Sequence, residues 1–169
     1  MPPVHPDDED AFAARSRARA HAACSASARL RARVALAAAA AADWIQHAQR
    51  ERGCSNRLLT VGDTAARAGA RRARADADAA WQHWQAAIDA LGATADAAPW
   101  LALWRAVADM AAWHAPLRAL RAQVLGRAVG WQSSTSQWTA AIAEMLHVQA
   151  ELGWMLGETV DAARLAQWL

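Results

Sequence analysis

The sequence predicts an all-α protein, a helical bundle of the four-helix-bundle type with long antiparallel helices. Hydrophobic residues make up 55% of the 169 residues, and alanine, the best helix former, dominates them. β-branched residues are scarce, and the larger apolar residues recur at helical spacing. The tryptophans share this spacing, which favours a role as core anchors between alanine-lined helices.

The helices follow one another along most of the chain. Residues 1–27, rich in proline and charge and then in alanine, arginine and serine, predict a disordered or loosely helical tail before a domain over residues 28–169. Gly62 predicts the end of the first helix, and Asp63 or Thr64 the N-cap of the second. The predicted helices are Ala28–Leu59, Thr64–Leu91, Asp96–Arg127 with a kink at Pro116, Ser133–Leu156, and a fifth from Asp161 after a break at Gly157.

Composition and motifs exclude several classes of function. The net charge of +2 is too small to indicate a nucleic-acid partner. The apolar run Val34–Ala42 is far shorter than the ~20 residues of a membrane span, so no membrane partner is expected. Cys24 and Cys54 have no metal-ligand spacing and form no disulfide framework, which favours a reducing cytoplasm. No metal site, cofactor motif or acid–base pair is recognisable, so we expect no enzyme.

The segment Gln49–Ser55, reading QRERGCS, interrupts the alanine-rich pattern of the first helix. On a helical wheel of about 100° per residue, Arg52 lies in the middle of the apolar stripe, whereas Arg50 and Arg57 point away from it. A buried guanidinium needs an anionic partner, and its planar donor fork suits planar oxyanions. Two interpretations remain open: a salt bridge to a carboxylate on another helix, or an anion ligand. Gly53 would fit a close approach or a local bend.

This segment resembles the signature Gln-x-Glu-Arg-Gly-x-Ser of the nitrate- and nitrite-sensing (NIT) domain family. The resemblance implies an all-helical sensor that binds nitrate or nitrite between helices and regulates a signalling or antitermination output elsewhere. The arginine of the family's motif is its anion ligand, and the matching residue is Arg52. Residues that could support Arg52 by position or polarity are Gln49, Glu51, Ser55, His114 and Gln149.

The final segment, DAARLAQWL, has helical spacing and no stop signal, and the family's second arginine motif has no counterpart before Leu169. Both features predict an incomplete domain that binds nitrate poorly or not at all.

Alternatives from other classes also stay open. A structural or interaction bundle without a ligand would bury Arg52 in a salt bridge, and a homodimer is possible. The cluster Arg67–Ala77 could contact phosphates but reads better as a solvated face, so nucleic acid is not expected as a partner of this domain. Cys54 could be a reactive thiol, although no histidine or aspartate lies at useful spacing.

Overall fold

The computed structural model describes residues 6–94 and 100–166, and side chains mainly between residues 25 and 157. It contains five helices: α1 (Pro6–Thr60), α2 (Thr64–Gly92), α3 (Leu101–Ala112), α4 (His114–Gly126) and α5 (Trp131–Ala166). The described residues include no β-strand. The predicted all-α fold is therefore confirmed.

α1 is the central helix of the bundle and packs along both α2 and α5, while α3 packs on α5. Its neighbours run antiparallel to it. Arg33, at the midpoint of α1 and 27 residues before its end, donates to the carbonyl of Ala90 in the last turn of α2 and to the hydroxyl of Thr94 just beyond it. The prediction of long antiparallel helices is confirmed.

The turn between α1 and α2 has the geometry that its residues predict. Gly62 has a φ of 74°, a left-handed conformation that glycine adopts without steric cost. The Asp63 carboxylate then accepts a 2.6 Å hydrogen bond from the backbone N–H of Ala66, capping α2. The predicted start of the second helix is confirmed.

The third predicted helix is divided into α3 and α4 at Trp113, rather than only kinked at Pro116. Proline lacks a backbone N–H, and its ring clashes with the carbonyl four residues earlier, so the helix breaks one turn before it. The predicted start at Asp96 lies outside the described residues.

Two helices are longer than the sequence patterns suggested. α5 continues through Gly157, so the predicted break there is wrong; a single glycine weakens a helix by only about 1 kcal/mol. α1 begins at Pro6 and runs on without interruption past Ala28. The division of function between residues 1–27 and 28–169 stays a prediction.

The core is built from tryptophan and other large apolar side chains set between alanines. Trp44, Trp81, Trp84 and Trp138 are buried, as expected of core anchors. Trp131, the first residue of α5, is instead 50% exposed, because it lies at the end of the helix. The rings of Trp44 and Trp81 are in edge contact across α1 and α2, so the tryptophans anchor the packing of these helices.

Candidate functional site

The QRERGCS segment lies within α1, and its side chains point in different directions. Gln49 and Arg50 are exposed, as is Arg57 two turns after Arg50, and Arg52 is half-buried. The expected order of burial among the three arginines is therefore confirmed. Glu51, however, is the residue that the core encloses, at 2% exposure.

The expectation that the fold buries Arg52 in the middle of the apolar stripe is wrong, and the period of the helix explains why. The buried positions of α1 advance in alternating steps of four and three residues, a repeat of 3.5 rather than 3.6. An ideal wheel drifts from such a stripe by ~20° per heptad, or about 60° between Leu30 and Arg52. The positions of this 3.5-residue repeat are Leu30, Val34, Ala37, Ala41, Trp44, Ala48, Glu51, Ser55 and Leu58, and the buried Ala40 and Ile45 flank them.

Glu51 is paired with Arg121, which α4 directs into the core. The Nε of Arg121 donates to Oε1 of Glu51 at 2.8 Å, and Nη2 donates to Oε2 at 2.6 Å. Two parallel hydrogen bonds of this kind are the strongest geometry for an arginine and a carboxylate. The salt bridge that the sequence left open for Arg52 is therefore made by its neighbour.

The Arg121 guanidinium also contacts the two remaining sides of the bundle. Its Nη1 donates to Oδ1 of Asp78 on α2 at 2.6 Å, and Arg74 lies 3.7 Å from the other oxygen of Asp78. Its carbon Cζ lies 5.4 Å from the ring centroid of Trp138 on α5, within reach of a cation–π contact. One side chain of α4 thus joins α1, α2 and α5.

Burial dominates the ionisation of Glu51. Removal of its carboxylate from water raises the pKa of Glu51 above the ordinary value of 4.5, and the hydrogen bonds and charge of Arg121 offset only part of that rise. Burial also acts to lower the pKa of Arg121, but Glu51 and Asp78 outweigh it and raise that pKa. Arg121 therefore stays a cation in the core.

Arg52 faces α5 and a row of neutral polar groups. Its Nη1 donates to the Thr139 hydroxyl at 3.1 Å, and that hydroxyl donates to the carbonyl of Thr135. One turn along, the side chains of Asn56 and Thr135 are hydrogen-bonded at 2.9 Å. Among the described residues no carboxylate lies within ion-pair distance of Arg52.

The other predicted support residues are not gathered around Arg52. Ser55 is buried one turn after Glu51 on the core stripe. His114 is exposed, stacks on Trp81 at 5.4 Å, and borders an open groove of about 410 Å³ between α2 and α4. Gln149 is half-buried and lies ten residues beyond Thr139 on α5, or about 15 Å along the axis. Their roles in binding stay predictions.

The comparisons with known proteins show the family of this chain. The family model described as nitrate and nitrite sensing (NIT) matches residues 43–167, most of the chain. The chain belongs to the NIT family. It also resembles a solved structure, the NasR transcription antiterminator, with a TM-score of 0.69 and 25% sequence identity. That match covers 96% of this chain and 43% of the antiterminator. No curated protein matches the chain.

Three polar residues of the NIT domain that contact Glu51, Arg52 or their partners were not predicted from the sequence: Arg121, Asp78 and Thr139. A signal for Arg121 was available, since it follows Leu117 by four residues and precedes Val124 by three, which places a cation on an apolar stripe. Asp78 and Thr139 gave no comparable signal, because a polar residue on a helix is most often an ordinary surface residue. In the structure Asp78 is half-buried and Thr139 is exposed.

The remaining candidate features of the NIT domain point to no second chemistry. A Cβ added at Gly53 would meet nothing within 4 Å among the described residues, so the expected close approach is wrong, and the local bend stays a prediction. Cys54 is half-buried and packs against the core. The part of the chain that the structure describes holds no cluster of metal ligands. Within that part, no helix has the length and apolarity needed to span a membrane.

Proposed function

We propose that this NIT domain senses nitrate or nitrite by binding the anion at the guanidinium of Arg52, between α1 and α5. The contrast between two arginines carries the proposal. Arg121 is buried, and two carboxylates accept its hydrogen bonds. Arg52 is half-buried and, among the described residues, bonds only to the neutral Thr139 hydroxyl. Its charge is therefore available to an anion.

The chemistry of the ligand suits this site. Nitrate and nitrite are planar oxyanions, and a guanidinium can donate to two of their oxygens side by side. Because Thr139 occupies only Nη1, the other N–H groups of Arg52 remain for the ligand. Partial burial against α5 reduces competition from water. A single guanidinium in a partly wet site predicts weak affinity, with a Kd on the order of 1 mM.

The domain is proposed as the sensory part of a regulator whose output lies outside these 169 residues. Membership of the NIT family and the likeness to a transcription antiterminator support this role. In this proposal the domain catalyses no reaction, requires no cofactor and does not itself contact nucleic acid. The cytoplasmic location and a possible homodimer stay predictions from the sequence.

An NMR titration of the chain tests the proposal. Amide resonances of residues 52, 135 and 139 should shift with added nitrate or nitrite and saturate. Chloride at the same ionic strength should give smaller shifts, because it has no pair of separate oxygens to accept two parallel N–H···O hydrogen bonds. A flat response to both oxyanions would support the alternative, a structural bundle without a small-molecule ligand.

A further inference from the structure

We propose that Arg121 is a positioning residue for the anion site, because it fixes the rotation of α1 about its own axis and thereby holds Arg52 against α5. This inference rests on the proposed function of Arg52. Arg121 does not touch the anion, since its guanidinium is enclosed by Glu51, Asp78 and Trp138.

The position of Arg52 is tied to that of Glu51 through the backbone of α1. Glu51 and Arg52 are consecutive in α1, so their side chains leave the helix about 100° apart. Both carboxylate oxygens of Glu51 are held by Arg121. Any rotation of α1 that moved Arg52 away from Thr139 would also break this pair of hydrogen bonds.

Few other core side chains of α1 near Arg52 are large enough to fix its rotation. Between Ile45 and Leu58, the core positions of α1 other than Glu51 carry only small side chains, Ala48 and Ser55. Gly53 has no side chain to pack, and a Cβ added there would meet nothing within 4 Å. Interlocking of large apolar side chains therefore sets the rotation of α1 on either side of this stretch, while the Glu51–Arg121 pair sets it within the stretch.

Stability alone does not explain the buried ion pair of Glu51 and Arg121. Replacing a buried ion pair with apolar groups of similar size is often neutral or stabilising, so stability alone gives a weak reason for it. A buried polar group that sets the register of packed helices is the best-attested role. Arg121 meets that description, because its guanidinium contacts one residue on each of the three long helices α1, α2 and α5.

The test uses the double variant Glu51→Gln, Arg121→Met, which removes both charges of the buried pair together and leaves the half-buried Asp78 with Arg74 as its partner. Nitrate affinity is measured by NMR titration, and the rotation of α1 by distances between spin labels at positions 50 and 136, both exposed. Cys24 and Cys54 are first replaced with alanine. Arg118→Met, an exposed position on the same helix as Arg121, is the matched control.

The expected result is a Kd raised by about tenfold or more, together with a shifted or broadened distance distribution. The control should match the parent in both measurements. An unchanged Kd, or a raised Kd with unchanged distances, would overturn the proposal. Arg121→Lys, which keeps the charge but loses the two parallel hydrogen bonds, should show a smaller change in the same direction, and it serves if the double variant does not fold.

Failure of the proposed function would be distinguishable. If the parent chain does not respond to nitrate, Arg52 is not an anion ligand, yet the spin-label distances still decide the positioning role. A shift of those distances in the double variant would support it, and identical distances would exclude it.

Discussion

Glu51 and Arg52 are consecutive residues of α1 that face different neighbours and have different partners. Glu51 is 2% exposed and accepts two hydrogen bonds from Arg121, whereas Arg52 is half-buried and donates to Thr139. Arg121 balances the charge of the Glu51 carboxylate inside the core. The Arg52 guanidinium has a neutral partner, the Thr139 hydroxyl, where α1 packs on α5. This division separates a residue that joins α1 to α4 from the one that we propose binds the anion.

Loss of Arg121 alone should destabilise the bundle strongly. Arg121→Met leaves the Glu51 carboxylate buried without its partner, which costs about 3–5 kcal/mol in the free energy of unfolding. Urea denaturation followed by circular dichroism measures it. Adding Glu51→Gln should recover part of the loss, while Arg118→Met should change stability by less than about 0.5 kcal/mol. Equal losses for Arg121→Met and Arg118→Met would show that the pair is not buried in solution.

The stability of the bundle should depend on pH through Glu51. Because the folded-state pKa of Glu51 is raised above 4.5, the folded protein retains a proton that the unfolded chain has lost once the pH exceeds that value. Stability from this group therefore falls as the pH rises through the interval between the two pKa values. The parent should lose stability relative to Glu51→Gln over that interval. The opposite trend would mean that Arg121 lowers the pKa of Glu51 below its ordinary value.

The two tryptophans Trp138 and Trp154 of α5 should respond very differently to truncation. Trp138 is fully buried beside Arg121, so Trp138→Ala should cost about 3–5 kcal/mol by leaving a cavity. Trp154 is 70% exposed, and Trp154→Ala should be close to neutral. Thermal unfolding of both variants measures the difference, and similar losses would contradict the described packing of α5.

The glycines Gly62 and Gly53 should differ in the sign of their substitution by alanine. Gly62 has a φ of 74°, so Gly62→Ala should destabilise the protein by about 1–2 kcal/mol through the strained left-handed backbone. Gly53 is helical with open space around it, and Gly53→Ala should stabilise the protein by up to about 1 kcal/mol. Destabilisation by Gly53→Ala would restore the interpretation of a close approach at that position.

Local signals in the sequence account for most of the fold. Glycine at a left-handed position and aspartate at an N-cap predict the turn at Gly62 and Asp63 because each acts within a few residues. The break at Trp113 was misplaced by one turn, because the clash of a proline ring falls on the preceding turn rather than on Pro116 itself.

The site was less predictable, because it depends on the relative rotation of packed helices. A wheel of 3.6 residues per turn selected Arg52 for the core, and the 3.5-residue repeat of the bundle placed Glu51 there instead. The partner of Glu51 could not be chosen from sequence, since Arg121 lies 70 residues further along the chain. Both the wheel and the motif resemblance select Arg52, and its role as the anion ligand stays a prediction.

Binding of nitrate by the variants Arg52→Ala and Arg50→Ala tests the central claim most directly. Both substitutions remove one arginine from the same turn of α1, but Arg52 is half-buried and donates to Thr139 of α5, whereas Arg50 is exposed. NMR titration should show that Arg52→Ala no longer responds to nitrate, while its circular dichroism and unfolding midpoint stay close to those of the parent. Arg50→Ala should bind as the parent does. Undiminished nitrate binding by a folded Arg52→Ala variant would contradict the assignment of Arg52 as the anion ligand.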